Sequence, residues 1–318
     1  MMKPASLAAL GIALLLPCPG GAQPASPDPV GVRITRGEYH GWPDAVFLSN
    51  DKVEAVIVPA VGRVMQFRFA GEADGPFWEN PAADGRRAGQ DAGGWVNYGG
   101  DKVWPAPQSA WPRITGRGWP PPAGFDGRPA RAEIGDGAVT LVFPPDPAYG
   151  LQVRRRIWLA PDARRMVITT TFEKTSGGPV EAGIWTIVQL RDPREVDAPA
   201  RDAAGSASSP VLLGGYAPPK TKTEGAWLAV TRDPAANHKI GLHTGALVWI
   251  GSRAVLRLFM DLAPGARYPD QNSSAEIYTN ADPLPYVELE LLGPLATLKP
   301  GERIDQTVTY LLERRDRQ

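Results

Sequence analysis

The sequence predicts an all-β protein with very little helix, and three observations support this fold class. Short runs rich in β-branched and aromatic residues recur along the chain, each bounded by Gly, Pro, Asn or Asp, which is typical of strands joined by turns. Beyond the N-terminal segment, no long stretch shows a clean helical period with caps. The 35 Gly and 34 Pro among 318 residues stay just below the range in which disorder becomes the default.

The N-terminus predicts a signal peptide over residues 1–22. After an early positive charge, residues 5–16 form a mostly apolar run, and small residues ending at Ala22 offer a cleavage site. The run is shorter than the ~20 apolar residues of a membrane-spanning helix, and no second stretch qualifies, so we expect no membrane span. Cleavage would remove Cys18, the single cysteine, and leave a periplasmic or secreted protein without disulfides. The alternative is a lipoprotein anchored at Cys18, which the proline directly before it disfavours.

The rest of the chain predicts a short linker and one large domain. Residues 23–33 begin with a Pro-, Ser- and Ala-rich stretch typical of a linker, and residues 34–318 form the domain. Three stretches are predicted as loops, at 80–94, 105–129 and 192–222, and the second is expected to face a ligand because of its aromatic residues. The predicted strands cover 45–48, 53–61, 64–69, 138–143, 151–159, 166–172, 182–190, 227–231, 246–250, 255–260, 275–278, 286–292 and 304–312.

Composition and motifs argue against several functional classes. Lys and Arg together number 34, as do Asp and Glu, so the chain lacks the charge excess of a nucleic-acid-binding protein. The sequence contains no phosphate-binding loop, dinucleotide-binding glycine motif, hydrolase nucleophile motif or zinc-protease motif, so no cofactor is expected. His238 and His243 are five residues apart, which would place them on opposite faces of a strand, so no metal site is expected.

An aromatic and polar segment at residues 95–111 is the first candidate binding region. Its Trp and Tyr rings offer flat apolar surfaces, and its amide, carboxylate and ammonium groups offer directional hydrogen bonds. A sugar, with its C–H face and its hydroxyls, needs this combination. The alternative is an aromatic core segment with a Gly-Gly turn. The candidate substrate-binding residues are Asn97, Asp101, Lys102, Trp104, Gln108 and Trp111.

Carboxylates on two later strands are the second candidate region. Glu288 and Glu290 share one strand face, about 6.6 Å apart from two rises of ~3.3 Å, and in a cleft their repulsion would raise one pKa. On an exposed face they would simply be solvated. Glu276 and Tyr278 share a face of a preceding strand, and Asp270 lies in the turn before it. These three could equally be structural turn and strand residues.

Four segments, taken in order, resemble the galactose mutarotase-like (aldose 1-epimerase-like) superfamily. They are VEAVIVPAVGRVMQFRFAG at 53–71, GGDKVWPAPQ at 99–108, LQVRRRIWLAPDARRMVITTTFEKTSGGPVEAGIW at 151–185 and YVELELLGPLATLKPGE at 286–302. They look like that superfamily's opening strands, its Gly-rich substrate-side segment, its central strands, and its C-terminal strand with the L-x-P-G-E turn. The resemblance covers residues 40–312 and is nearest to an uncharacterised branch of exported bacterial proteins.

The resemblance implies a large antiparallel β-supersandwich whose concave face binds a carbohydrate. In enzymes of the superfamily a late-strand Glu is the general base and a mid-chain His the general acid. Glu290 falls at the position of that Glu, with Glu288 as the second choice, whereas Trp185 occupies the position of the His. The resemblance therefore implies a carbohydrate-binding protein that lacks the standard His/Glu pair, with Trp185 among its substrate-binding residues.

Other functions stay open. A sugar epimerase or mutarotase could use Glu290 as base with a substituted acid, because ring opening needs two positioned proton-transfer groups. The candidates for that acid are His243, Asp101, Tyr278 and Lys102. A structural envelope protein could reuse the fold without a small ligand. An acidic sugar would fit if Arg154, Arg156 and Lys102 faced the cleft.

Overall fold

A computed structural model describes residues 31–87, 95–126, 128–200 and 209–315. The predicted signal peptide, 1–22, and most of the predicted linker, 23–33, lie outside the described residues. The all-β prediction is confirmed, because the described residues form many strands and only helices of three to five residues. None of these helices is long and apolar enough to cross a membrane.

The strands alternate with short turns along the whole described chain, and their bounds are as follows. The strands are β1 (Arg33–Tyr39), β2 (Trp42–Ser49), β3 (Val53–Val58), β4 (Arg63–Phe69), β5 (Asp101–Ala106), β6 (Arg131–Gly135), β7 (Ala138–Val142), β8 (Leu151–Leu159), β9 (Arg165–Lys174), β10 (Val180–Arg191), β11 (Glu195–Pro199), β12 (Val211–Leu212), β13 (Lys220–Glu224), β14 (Trp227–Thr231), β15 (His238–Leu242), β16 (Ala246–Ile250), β17 (Ala254–Phe259), β18 (Ala275–Thr279), β19 (Tyr286–Leu292), β20 (Ala296–Leu298) and β21 (Arg303–Arg314). The short helices are α1 (Trp111–Thr115), α2 (Ala123–Asp126) and α3 (Pro269–Asn272).

Two antiparallel sheets form the architecture. The first runs in the order β1-β2-β3-β4-β5-β10-β19-β18-β15-β12, with β20 also paired to β10. The second runs β13-β14-β11-β16-β17-β21-β9-β8-β7-β6. Buried apolar residues from both sheets form one continuous core, so the protein is a two-layer sandwich.

An ion pair between the sheets identifies the internal face of the first sheet. Asp101 of β5 pairs with Arg155 of β8 and accepts a hydrogen bond from the Tyr310 hydroxyl of β21, and all three residues are fully buried. Since β8 and β21 belong to the second sheet, Asp101 points inward. Successive side chains of a strand alternate, so Lys102 and Trp104 point to the outer face of the first sheet. This placement contradicts the predicted sugar-binding role of Asp101.

Loop and linker predictions were less accurate than the strand runs. The predicted loop at 192–222 contains β11, β12 and the beginning of β13. Arg33, the last residue of the predicted linker, begins β1. Strands β5 and β15 were not predicted, although both carry residues of the candidate site.

Candidate functional site

Five neighbouring strands, β5, β10, β19, β18 and β15, carry aromatic and charged side chains on the outer face of the first sheet. Residues opposite each other on paired strands share a face. In the register of β5 and β10, Trp104 lies opposite Trp185, and Lys102 lies opposite Ile187. On the other side of β10, Ile187 lies opposite Glu290 of β19, which in turn lies opposite Glu276 of β18. The outer-face residues of these strands include Lys102, Trp104, Trp185, Gln189, Lys239, Glu276, Tyr278, Glu288 and Glu290.

Lys239 connects two glutamates at the centre of this face. Its Nζ lies 2.6 Å from Glu276 Oε2 and 3.0 Å from Glu290 Oε2. Trp185 Nε1 donates a hydrogen bond to the same oxygen of Glu290 at 2.7 Å, and Lys239 Nζ lies 4.6 Å from the Trp185 ring centroid. Both glutamates are fully buried. Lys239, Glu276 and Glu290 are called the lysine-bridged cluster below.

Burial shifts the protonation equilibria of the lysine-bridged cluster. Burial raises the pKa of Glu276 well above its ordinary value, because the lowering effect of Lys239 does not offset burial together with the nearby Glu290 and Asp270. Burial likewise raises the pKa of Glu290, against the opposing effect of Lys239. Burial alone would lower the pKa of Lys239, but Glu290 and Glu276 raise it above its usual range. Lys239 therefore stays charged at neutral pH, and each of the two glutamates holds a proton more readily than a glutamate in water does.

A second ion pair lies beside the first on the same face. Lys102 Nζ is 3.0 Å from Glu288 Oε1, and Gln189 Nε2 donates to the same oxygen at 2.9 Å. The ammonium also lies 5.0 Å from the Trp104 ring centroid. Lys102 is almost fully buried, whereas the Glu288 side chain keeps 13% exposure. Glu288 is therefore the more accessible of the two predicted catalytic carboxylates.

A group of tryptophans borders the two ion pairs, and Asp126 orients part of it. Asp126 Oδ2 accepts the indole N–H of Trp95 and of Trp104, each at 2.8 Å, and its Oδ1 lies 2.6 Å from Arg63 Nη2. Trp119 packs edge-to-face on Trp104 at 5.8 Å and is 51% exposed. These contacts present an aromatic surface to solvent next to the charged groups. The tryptophan cluster consists of Trp95, Trp104, Trp111, Trp119 and Trp185.

A left-handed turn brings Asp270 to the lysine-bridged cluster. Asp270, Gln271 and Asn272 have φ values of 47°, 62° and 65°, a conformation that residues other than Gly adopt rarely. The Asn272 side chain accepts a hydrogen bond from the backbone N–H of Tyr268 at 3.0 Å, which ties the turn to its own start. The Asp270 carboxyl interacts with Glu276, and burial raises the pKa of Asp270. The turn also lines an open groove of about 690 Å³.

The structure brings most of the predicted site residues onto or beside the outer face. Trp111 is fully buried behind Trp104 and Trp185, where it supports the cluster from within. Gln108 is half-buried in a short 3-10 turn at the start of the loop that leads to α1. Asn97 is half-buried near the Tyr286 hydroxyl. The other predicted residues on or beside this face are Lys102, Trp104, Trp185, Asp270, Glu276, Tyr278, Glu288 and Glu290.

Several of the sequence-based alternatives do not fit this geometry. Arg154 and Arg156 flank the inward-pointing Arg155 on β8 of the second sheet, so they lie on the far surface of the sandwich and cannot pair a uronate here. His243 is exposed just beyond β15, with Nδ1 3.2 Å from the Asn272 carbonyl oxygen, so it lies beside the chain segment that carries Asp270 and its role as the acid stays a prediction. Asp101 is committed to the core, so it cannot serve as the replacement acid.

Sequence analysis missed two residues that organise the site. Lys239 is preceded by His238 and followed by an apolar residue and Gly241, a short pattern that does not stand out as a strand, and its contacts depend on the β15–β18 register. Asp126 follows a Pro- and Gly-rich segment, and its three partners are 22 to 63 residues away along the chain. Neither contact leaves a local sequence signal.

Comparisons with solved structures identify the fold. A candidate mutarotase (YeaD) from Salmonella typhimurium matches with a TM-score of 0.58 and 10% identity, over 89% of this chain and 97% of that one. A candidate aldose 1-epimerase from Klebsiella pneumoniae matches with a TM-score of 0.57 and 11% identity, over 88% and 83%. A TPR-domain-containing protein from Parabacteroides distasonis matches with a TM-score of 0.56 and 15% identity, over 84% of this chain and 46% of that one.

These similarities show that the two-sheet sandwich is the galactose mutarotase-like fold, as the sequence resemblance implied. No protein-family model matches the sequence, and no curated protein matches it either. At identities of 10–15% the similarity concerns the fold alone. Function must therefore be argued from the residues of the outer face.

Proposed function

We propose that this protein binds a carbohydrate on the outer face of its first sheet. The observation that carries the proposal is the contact between the tryptophan cluster and the two ion pairs. Trp104 lies against Lys102, and Trp185 donates a hydrogen bond to Glu290, so apolar ring surfaces and hydrogen-bonding groups lie side by side. A sugar ring, which stacks through its C–H groups and hydrogen-bonds through its hydroxyls, matches this arrangement.

Ligand-observed NMR against neutral, amino and acidic mono- and oligosaccharides tests the proposal, because saturation transfer marks binding. Trp119→Ala removes the exposed ring next to Trp104, and we expect it to weaken sugar binding about two- to twelvefold, from the ~0.5–1.5 kcal/mol of an aromatic contact. Trp227→Ala is the matched control, since Trp227 is 38% exposed on β14 of the second sheet. An absence of saturation transfer across the panel, or equal effects of the two variants, would contradict the proposal and favour the structural envelope protein.

The alternative proposal is a sugar epimerase or mutarotase with Glu290 as base. One observation favours it: Glu276 and Glu290 face each other on β18 and β19 and interact directly, and burial raises the pKa of both. An ionised Glu290 and a protonated Glu276 would form the acid and base that ring opening requires. The same NMR spectra report exchange between anomers. Sugar binding without any acceleration of exchange, unchanged in Glu290→Gln, would exclude the alternative and leave the binding protein.

Export is a further part of the proposal, and it depends on the N-terminal sequence pattern alone. Cleavage after Ala22 would give a mature chain that begins at Gln23. Mass spectrometry of the protein recovered from periplasm and medium checks this. An intact N-terminus in a cell-internal fraction would contradict export, and a lipid-modified Cys18 would identify a lipoprotein.

A further inference from the structure

We infer that the ligand of the outer face is a sugar with a free amino group, whose ammonium is received by Glu276 and Asp270. This inference rests on the proposed carbohydrate binding and adds the chemical class of the sugar. Four observations support it: the balance of charges, the unfilled acceptor atoms, the open groove at Asp270 and the neighbouring aromatic rings.

Carboxyl groups outnumber cations around this face. Lys102 is paired with Glu288, and Lys239 is shared between Glu290 and Glu276. Asp270 adds a fourth carboxyl group without adding a cation. Arg63, the cation of the tryptophan cluster, is already paired with Asp126. Fully ionised, these groups leave an excess of two negative charges, which would repel a uronate and attract an ammonium.

Glu276 and Glu290 each present a buried oxygen that lacks a hydrogen-bond donor. Among the described residues, no group donates a hydrogen bond to Glu276 Oε1 or to Glu290 Oε1, although both residues are fully buried. The interaction of Asp270 with Glu276 brings together two acceptors, which can share a hydrogen bond only if one is protonated. Buried acceptors are almost always satisfied in folded proteins. A ligand ammonium, with its three N–H donors, would satisfy the carboxyl groups of Glu276 and Asp270.

The raised pKa values of Glu276 and Asp270 agree with this shortage of positive charge. Burial raises the pKa of each carboxyl group, and the opposing effect of the Lys239 charge is too small to compensate for it. A ligand ammonium between them would supply the missing counter-charge and favour the ionised forms. Asp270 is the first of three consecutive residues whose backbone lies in the left-handed region, a conformation that costs ~1–3 kcal/mol for each residue. Such strain persists only where the surrounding structure imposes it.

An open groove brings solvent to Asp270, the carboxyl group that interacts with the buried Glu276. The residues that line the open groove of about 690 Å³ include Asp270, Gln271, Pro107 and Ser109. Its size is within the range of small-molecule sites. Because Asp270 both lines the groove and interacts with Glu276, a ligand in the groove can bring its amine to the carboxyl pair.

The surroundings favour an amino sugar over a bare metal ion. The described residues contain no group of three or more His, Cys, Asp or Glu side chains arranged to hold a metal. Trp185 lies 4.6 Å from the Lys239 ammonium, so an aromatic ring stands beside the carboxyl groups that Lys239 pairs. A sugar amine uses both the carboxyl groups and the tryptophans, whereas a metal ion would use only the former.

Isothermal titration calorimetry at pH 7 tests the inference with glucosamine and galactosamine, their N-acetyl forms, the parent hexoses and the uronic acids. We expect the free amines to bind at least tenfold more tightly than their N-acetyl forms. Glu276→Gln and Asp270→Asn should each reduce that preference severalfold. Glu133→Gln is the matched control, because it removes a carboxylate at an exposed position of β6 in the second sheet that does not line the groove, and it should leave the preference unchanged.

The outcomes separate this inference from the function on which it rests. Equal or tighter binding of neutral hexoses, N-acetyl sugars or uronic acids would overturn the inference and leave carbohydrate binding intact. Asp270 is half-buried, and Asn readily adopts the left-handed conformation, so Asp270→Asn is compatible with the fold. If this variant still prefers the free amines over their N-acetyl forms, the inference is overturned. Binding of none of the sugars would overturn both.

Discussion

Lys239 makes the burial of two carboxylates tolerable, and its replacement by methionine tests this electrostatic account directly. The substitution Lys239→Met keeps most of the aliphatic stem but removes the ammonium that lies 2.6 Å from Glu276 and 3.0 Å from Glu290. Both glutamates are fully buried, and removing one partner of a buried ion pair typically costs ~3–5 kcal/mol. We therefore expect the free energy of unfolding at pH 7 to fall by about that amount.

The loss should depend on pH in a defined direction. Lys239 is the group that most strongly opposes the effect of burial at both glutamates, so without it the pKa values of Glu276 and Glu290 in the folded state rise above their already raised wild-type values. A carboxyl group with a raised folded-state pKa contributes stability that is fully present below its unfolded pKa, near 4.5, and lost as the pH rises through the folded pKa. The cost of Lys239→Met should therefore be smallest near pH 4.5 and grow toward pH 8, by ~1.4 kcal/mol for each unit of additional shift.

Urea denaturation followed by tryptophan fluorescence at pH 5 and pH 8 measures this cost. The double variant Lys239→Met/Glu276→Gln should recover part of the loss at pH 8, because it removes one of the unpaired carboxylates. Lys220→Met, at an exposed position of β13, is the matched control and should change stability by less than ~0.5 kcal/mol. A cost below about 1 kcal/mol for Lys239→Met, equal at both pH values, would refute the reasoning.

Two further predictions concern other buried or half-buried carboxylates. Asp101→Asn leaves the fully buried Arg155 without its counter-charge between the sheets, so we expect a loss of ~3–5 kcal/mol in urea denaturation, and an unchanged midpoint would contradict this. For Asp197 on β11, burial together with Glu195 and Glu224 raises the pKa to about 6, so its contribution to stability is lost as the pH rises through about 6. Asp197→Asn should therefore be more stable than wild type by on the order of 1 kcal/mol at pH 8, after allowance for solvent screening, with no gain at pH 4, and equal thermal shifts at both pH values would argue against it.

The fold was predictable because its strands are short runs rich in β-branched and aromatic residues that are bounded by turn residues. Runs such as 151–159 and 286–292 correspond to β8 and β19. The strands that escaped prediction have a physical reason for doing so. In β5 the strand pattern is hidden by Pro105 and by the Gly-Gly pair before it, and β12 has only two residues in a Pro- and Ser-rich segment. Both depend on pairing with a neighbour rather than on their own propensity.

The candidate site was predictable only where strand alternation governs it. The shared face of Glu288 and Glu290 follows directly from the period of two. The same rule separates Asp101 from Lys102, because adjacent residues of a strand point to opposite faces, and it shows why the two could not both line the site. Lys239 could not be assigned in this way, since its contact with Glu290 depends on the registers of β15, β18 and β19 together.

The groups around Glu290 restrict where a catalytic proton could come from. Trp185 is a hydrogen-bond donor that neither accepts nor releases a proton, so it cannot replace a histidine in acid–base chemistry. Lys239 holds its proton at neutral pH because the carboxylates around it raise its pKa. Among the described groups that contact Glu290, this leaves Glu276, whose pKa burial also raises, as the candidate acid. Binding and catalysis therefore make opposite demands on Glu276, which must be ionised to receive an ammonium and protonated to act as an acid. Under the two proposals, a ligand that carries an amine would suppress the acid, so the charge of the sugar would decide between binding and catalysis.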